Sequence, residues 1–337
     1  MINVGIIGCG YWGPNLVRNF SATEHVKVVA VCDIDSNALQ KVQKAYPFVE
    51  ASTRYPEITC ASRIDAVVIA TPVSNHFELS KSALENGKHV FVEKPFTSSV
   101  TEAHQLIALA EKKQLTIMVD HTFLFTGAVM KMKELIDGNV LGELYYYDST
   151  RINLGLFQHD VNVIWDLAPH DLAIMDYIIK EKPVAVVATG IDHFNRGLED
   201  VAYLTLYFNH AMIAHINVNW LSPVKNRTTL IGGQKKMLVW NDLEPDEKIK
   251  LYDRGVEFNH TNDKEGVYKL LIDYRSGDLY SPKLNRKEAL KTEIEYFVEC
   301  IMKQQIPIND GQAGLRVVRM LEAATESLRN RGKEVKL

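Results

Sequence analysis

Through the first third of the chain, short β-branched and apolar runs alternate with amphipathic stretches, the pattern of βαβ units in a parallel sheet. Asn3–Ile7, Val26–Cys32, Ala66–Ile69, His89–Val92 and Thr116–Val119 read as strands. They are largely apolar rather than alternating, as strands covered by helices on both faces must be. Between them, Asn75 is placed to cap a helix that stops near Gly87, and Ser99–Val100–Thr101–Glu102 has the spacing of a capping box. The expected unit is a doubly wound α/β sheet of the nucleotide-binding kind.

After about residue 123 the texture changes. A helical stretch, Gly127–Gly138, leads into a strand, Glu143–Asn153, and a helix, Leu167–Lys180. Strand-like runs follow at Val184–Gly190, Val201–Phe208, Met212–Leu221, Asn226–Ile231 and Lys236–Trp240. The links Asn209–His210 and Gly232–Gly233 are short and turn-like, so their neighbours should be antiparallel hairpins. Helical segments Arg286–Lys303 and Gln312–Arg329 close the chain, and the polar stretch Asn259–Asp278 reads as a mobile loop. The expectation is two domains: residues 1–123, and residues 124–337, an α/β domain with a large, mostly antiparallel open sheet whose last helix can pack back on the first domain. A sheet with helices on one side leaves its other face in need of cover, which points to a homodimer or homotetramer.

Composition mainly excludes. Lys plus Arg number 38 against 42 Asp plus Glu, a formal charge of −4, which argues against a nucleic-acid partner. The four cysteines, Cys9, Cys32, Cys60 and Cys300, show no C-x-x-C pairing and suit a reducing compartment. No apolar run approaches the ~18 residues of a membrane span, and the first residues lack the basic region of a signal peptide. A cytoplasmic protein without a membrane partner is expected.

The chemistry begins at Gly8–Cys9–Gly10–Tyr11–Trp12–Gly13, a G-x-G-x-x-G directly after the first strand. Gly8 allows the tight turn, Gly10 lets a pyrophosphate approach the backbone, and Gly13 lets helix and strand pack closely. The phosphates would sit on the helix N-terminus, whose free N–H groups and dipole favour an anion. Asp33 ends the second strand about twenty positions beyond Gly13, where an acid binds the adenosine ribose hydroxyls and repels the 2′-phosphate of NADP. NAD is therefore favoured, although Asp33 or Asp35 also reads as the cap of the next helix. Two further strand ends converge on the same crevice: Ala70–Thr71–Pro72, with Asn75 and His76 beyond it, and Glu93–Lys94–Pro95. Pro95 keeps Lys94 extended and projects it past the sheet edge. By spacing alone Lys94 reads equally well as a surface lysine.

These motifs, followed by Asp166–Leu167–Ala168–Pro169–His170, stand in the order seen in the Gfo/Idh/MocA oxidoreductases, which the chain resembles over nearly its whole length. The resemblance implies an N-terminal Rossmann domain for NAD(H) or NADP(H) and a second domain whose open sheet forms the oligomer contact. It implies Lys94, Asp166 and His170 as a catalytic group acting on a sugar or polyol hydroxyl. The cofactor contacts expected are Gly8, Gly10, Tyr11, Trp12, Gly13, Asp33, Thr71, Pro72, His76, Glu93, Lys94 and Trp165.

Read for itself, Asp166 can cap the following helix, with Pro169 in its first turn and His170 four positions on. A histidine at a helix N-terminus is disfavoured as imidazolium and so kept available as a base. Asp166, His170 and Asp171, with His159 and Asp160, offer metal-ligand types, but no H-E-x-x-H is present, alternating His and Asp need not face one centre, and no metal is expected.

The segments MVDHTFLF, RINLG, WDLAPHDL and NWLSPVKNR resemble the family branch linked to polysaccharide and nucleotide-sugar biosynthesis. Its members include enzymes that oxidise the 3-hydroxyl of UDP-N-acetylglucosamine or related sugars. The expected substrate contacts are Lys94, Arg151, Asn153, Asp166, His170 and Lys225, with Arg227 and the stacking rings of Trp165 or Trp220 as further candidates. Asp120–His121 replaces the Asn-Arg or Asn-Tyr pair of many relatives, which weakens transfer of substrate contacts from the inositol and glucose–fructose branches. The alternatives are an inositol or free-sugar dehydrogenase, an NAD-recycling glycosidase, and a non-catalytic NAD-binding regulatory protein.

Overall fold

The computed structural model describes residues 1–155, 157–259 and 271–337, which form two compact units. Met1–Thr126 and Arg286–Glu322 make the first, and Gly127–Asn285 and Ala323–Leu337 the second.

The first unit is a six-stranded parallel sheet in the order β3-β2-β1-β4-β5-β6. Its elements are β1 (Ile2–Ile7), α1 (Gly13–Ser21), β2 (Val26–Cys32), α2 (Ser36–Ala45), β3 (Glu50–Ser52), α3 (Pro56–Thr59), β4 (Ala66–Ile69), α4 (His76–Glu85), β5 (His89–Glu93), α5 (Val100–Lys113) and β6 (Ile117–Asp120). The reversal of strand order between β1 and β4 opens the crevice in which such sheets bind ligands. Every residue of β4 is buried, in keeping with its unbroken apolar run.

Local capping differs in detail from the sequence expectation. Asn75 makes no side-chain cap, because a 3-10 turn over Val73–Asn75 runs straight into α4. Ser99 does cap α5, accepting from the Glu102 amide at 3.2 Å, but Glu102 reaches back to the amide of Ser98 rather than that of Ser99. The unit's core is completed from far along the chain by Phe297, whose ring meets Phe20 and Phe91 edge-on at 6.4 and 5.5 Å between centroids.

In the second unit, α6 (Gly127–Asp137), β7 (Leu144–Leu154) and α7 (Val163–Ile178) precede β8 (Ala185–Ile191), β9 (Val201–Tyr207), β10 (Ile213–Asn219), β11 (Leu221–Gly233), β12 (Met237–Asn241), β13 (Ile249–Asn259) and β14 (Leu271–Tyr280). The chain ends with α8 (Ala289–Lys303), α9 (Gly311–Arg329) and β15 (Val335–Lys336). Nine strands form one sheet, β14-β13-β12-β11-β7-β10-β9-β8-β15, antiparallel except where β10 runs beside β7. The β9–β10 hairpin forms at the predicted Asn209–His210 link, and β11 also pairs antiparallel with β12, but β11 runs through Gly232–Gly233 and its turn falls at Gln234–Lys236. The stretch expected as a loop contains strand instead: Leu271–Tyr280 pairs antiparallel with β13, and residues 260–270 lie outside the described residues. Arg275 and Asp278 lie on this edge strand, where charged residues guard unpaired backbone.

Along β7 the side chains alternate between two environments. Tyr147, Ser149 and Arg151 are buried, whereas Tyr146, Asp148 and Thr150 face away from them. Among the described residues, no helix is long and apolar enough to cross a membrane.

Candidate active site

In the first unit the glycine motif is built as its spacing requires. Gly8 has φ +100°, and a Cβ there would lie 2.3 Å from the Ala70 carbonyl oxygen. A Cβ on Gly13 would lie 2.2 Å from the Gly8 carbonyl oxygen, so helix and turn close on one another only without side chains. Gly10 differs, with open space where its Cβ would stand. No side chain caps the N-terminus of α1, whose first turn contains Pro14. An open glycine backbone ahead of an uncapped helix start fits a dinucleotide pyrophosphate.

Asp33 holds this turn by accepting from the Cys9 amide at 2.6 Å and the Asp35 amide at 2.8 Å. Each carboxylate oxygen keeps a second acceptor site, which suits ribose hydroxyls. Capping of α2 falls to Asp35, which accepts from the Asn37 amide at 2.8 Å. Tyr11 is exposed, and the half-buried Trp12 points its indole Nε1 at Asp120, 3.4 Å away. Burial, followed by Asp33, pushes the Cys9 thiol up to about 12, so this cysteine carries no thiolate chemistry.

Glu93 and Asp120 are cross-strand partners at the ends of β5 and β6, and Glu293 of α8 joins them. Burial, then Asp120, pushes both glutamates well above the ordinary carboxylate range. For both glutamates the protonated form is the one that burial and the neighbouring Asp120 favour. Asn309 Nδ2 secures Glu293 at 2.8 Å and the Val119 carbonyl at 2.7 Å. Sequence reading missed Glu293 and Asn309, which are remote in sequence from Asp120. Lys94, adjoining this cluster, and Thr71 are both half-buried, and Pro72 is exposed.

His76 needs correction. Expected at the cofactor, it is 1% exposed, with Nδ1 2.8 Å from the Pro95 carbonyl oxygen and Nε2 2.8 Å from that of Thr71. Burial lowers its basicity. Both ring nitrogens are turned to backbone, leaving neither for a ligand.

In the second unit, α7 begins earlier than expected. Asn162 is its cap, accepting from the Trp165 amide at 3.2 Å, so Asp166 lies in the first turn and Pro169 inside the helix. His170 thus stands beyond the first turn, where the dipole has faded, and the helix-start argument for its neutrality does not apply. Asp166 and His170 are still i,i+4 neighbours on one helix face. Asp166 Oδ2 accepts from Trp220 Nε1 at 3.0 Å.

Trp220 is 1% exposed, so it positions the carboxylate and does not stack on a ligand. Asn153 is half-buried near the end of β7, beside Gly155, whose amide donates to the Trp220 carbonyl. Lys225 is exposed in the irregular stretch of β11 between Leu221 and Asn226. The structure thus brings Asp166 and Trp220 together.

One expectation changes here, that for Arg151. Arg151, expected at the substrate, is 3% exposed and donates to Asp171 through Nε at 2.6 Å and Nη2 at 3.3 Å. Asp171, weighed as a metal ligand, also accepts from Ser149 at 2.7 Å, while its carbonyl receives Tyr147 Oη at 3.3 Å. Three successive inward positions of β7 therefore grip one residue of α7 and fix how the helix is turned. Polar residues at i, i+2 and i+4 on a buried strand face were the available signal for such a partner. Trp165, expected at the cofactor, spends its indole N–H on Thr325 Oγ1 at 2.9 Å. Arg227 pairs with Asp242 at 3.4 Å. Among the described residues, no group of three or more His, Cys, Asp or Glu side chains is placed to hold a metal ion.

Residues 2–121 match an oxidoreductase family with an NAD-binding Rossmann fold, and residues 129–239 match the GFO/IDH/MocA C-terminal domain. UDP-N-acetylglucosamine 3-dehydrogenase of Acidithiobacillus ferrooxidans is 25% identical over 94% of each chain. Its solved structure covers 98% of each chain, with a TM-score of 0.79 at 23% identity. An uncharacterized oxidoreductase of Escherichia coli, YdgJ, is 30% identical over 73% of each chain. An Agrobacterium radiobacter oxidoreductase solved with NAD+, L-tartaric acid and magnesium shares the fold, with a TM-score of 0.81 at 18% identity and coverage of 99% and 98% of the two chains. With both halves matched and the glycine turn shaped for a dinucleotide, this chain belongs to the Gfo/Idh/MocA family of NAD-binding oxidoreductases.

Proposed function

We propose that the protein is an NAD-dependent dehydrogenase acting on a secondary hydroxyl of a sugar, and that the sugar is a nucleotide-linked N-acetylhexosamine oxidised at its 3-position. The observation that carries the reading is the α7 face, where a carboxylate anchored by Trp220 stands one turn before an imidazole. A carboxylate and an imidazole one helical turn apart suit a hydroxyl that must be oriented and then deprotonated. Similarity over 94% of each chain to an enzyme named for UDP-N-acetylglucosamine oxidation supports the substrate class.

In this reading the C–H bond of the carbinol carbon breaks with its electron pair, and the O–H proton passes to His170. NAD, when bound, accepts the hydride. Lys94 donates a hydrogen bond to the same oxygen and stabilises its developing negative charge. Asp166 orients the hydroxyl and balances charge beside His170. The glycine turn and Asp33 hold the pyrophosphate and ribose, with Asp33 favouring NAD over NADP. Lys225, exposed on β11, is proposed to meet the diphosphate. We further propose a reducing, cytoplasmic setting, consistent with four free cysteines, and a second copy of the chain against the open face of the nine-stranded sheet.

The test is incubation with NAD and a panel of free sugars, inositols and UDP- or dTDP-sugars, following absorbance of the reduced nicotinamide, after any nucleotide retained through purification has been identified. Reduction with UDP-N-acetylhexosamines above all others is expected. Preference for inositols or free sugars would overturn the substrate class. Cleaved glycoside without accumulated NADH would replace dehydrogenation by NAD-recycling glycoside cleavage. Tight NAD binding with no turnover across the panel would favour a regulatory protein.

A further inference from the structure

β4 and β5 are parallel neighbours whose ladder ends at Ile69 and Val92. Beyond these positions the chain continues as Ala70–Thr71–Pro72 on one side and Glu93–Lys94–Pro95 on the other. Neither proline has an N–H, so neither extension can continue the ladder at that residue. The imidazole of His76, the first residue of α4, fills that position. Its two nitrogens lie 2.8 Å from the carbonyl oxygens of Thr71 and Pro95. The ring is 1% exposed, and Pro95 is buried beside it. Burial lowers the ring's basicity, so the neutral imidazole donates to one of these carbonyls and packs its other nitrogen against the second, wedging the two loops at a fixed spacing.

We propose that His76 is a positioning residue that bolts the two strand-end loops together and thereby sets the placement of the Lys94 amine. The proposal rests on the reading of Lys94 as the group at the substrate oxygen. A flexible lysine on a four-carbon stem donates usefully only if its backbone is fixed, because a displacement of about 1 Å at a reacting centre costs on the order of 100-fold. Pro95 is bonded directly to Lys94, so the ring holds the carbonyl one residue from the lysine Cα. The bolt acts through the backbone and contacts neither sugar nor nicotinamide.

The experiment is a double-mutant cycle of His76→Gln and Lys94→Ala, with kcat, KM and NAD affinity measured for each chain. His76→Gln is expected to lower kcat at least tenfold while NAD affinity changes less than threefold, and to cost less than twofold more in the Lys94→Ala background. Equal losses in both backgrounds, or a loss confined to NAD affinity, would overturn the proposal.

A second readout needs no substrate: trace acetylation of lysine amines, with Lys88, which is buried and donates to the Ile64 carbonyl, as internal control. In His76→Gln the Lys94 rate should shift at least threefold while that of Lys88 stays constant. An unchanged Lys94 rate would sink the idea even if the dehydrogenase reading stands. A shifted rate in a protein that oxidises no sugar would sink the reading and leave the bolt. Should His76→Gln fail to fold, ring 15N resonances of His76 in the wild-type and Lys94→Ala chains decide. The coupling is reciprocal, so they must differ between the two chains, and identical resonances would refute it.

Discussion

At the scale of single residues, the glycine turn separates two roles that one motif combines. Gly8 is structural: alanine there would place a Cβ at positive φ and 2.3 Å from the Ala70 carbonyl oxygen. Gly8→Ala is therefore expected to destabilise the first unit by at least about 2 kcal/mol, read by denaturant unfolding. At Gly10 a Cβ meets nothing within 4 Å and would occupy space left for the pyrophosphate. Gly10→Ala should keep wild-type stability while weakening NAD binding roughly tenfold or more, about 1.4 kcal/mol, as measured by calorimetry. Lys94→Ala, measured at saturating sugar, is expected to lower kcat by about 100- to 1000-fold with NAD binding retained. Near-normal turnover would remove Lys94 from the chemistry. The glycine spacing was legible because it reflects local backbone geometry; the two carbonyls around His76 were not, because they come from separate loops.

Between elements, buried polar groups set orientation. Arg151 and Asp171 pair at 2.6 Å with both side chains almost fully enclosed, joining β7 to α7. Arg151→Met leaves a buried carboxylate without its cation and should cost about 3–5 kcal/mol of stability. Asp166 and His170 share that helix, so the same variant should also lose activity under conditions where it remains folded. The carboxyl cluster gives a pH-dependent counterpart. Glu293 keeps its proton in the folded chain above the pH at which the unfolded chain releases it, so folding takes up protons and stability falls as pH rises through and beyond the ordinary glutamate range. Glu293→Gln retains a donor toward Asp120 and removes the titration. The variant should therefore gain thermal stability relative to wild type between about pH 5 and pH 8, and an unchanged difference across that range would refute the assignment.

For the whole molecule, the open sheet raises the question of assembly. On its outward face Tyr203 and Tyr207 of β9, Ile213 of β10 and Leu230 of β11 are exposed by 37–44%, interleaved with Thr and Asn positions. If a second copy covers this face, light scattering will give twice or four times the protomer mass and Ile213→Asp will shift it toward the monomer, since a stable interface buries roughly 800 Å² on each partner. A wild-type monomer at micromolar concentration would refute the assembly. Sequence by itself determined what depends on neighbours along the chain: strand and helix periods, the glycine turn, the acid at the end of β2, and the antiparallel pairing of β9 with β10 and of β11 with β12. It placed α7 four residues late because a proline was read as a helix start, although Asn162 supplies the cap. Only tertiary structure decided which polar side chains face water and which face one another. Arg151 and Asp171, His76 between two carbonyls, and Glu293 beside Asp120 are pairings between distant segments. Burial makes such groups find partners, but the partner's identity is fixed only when the elements pack.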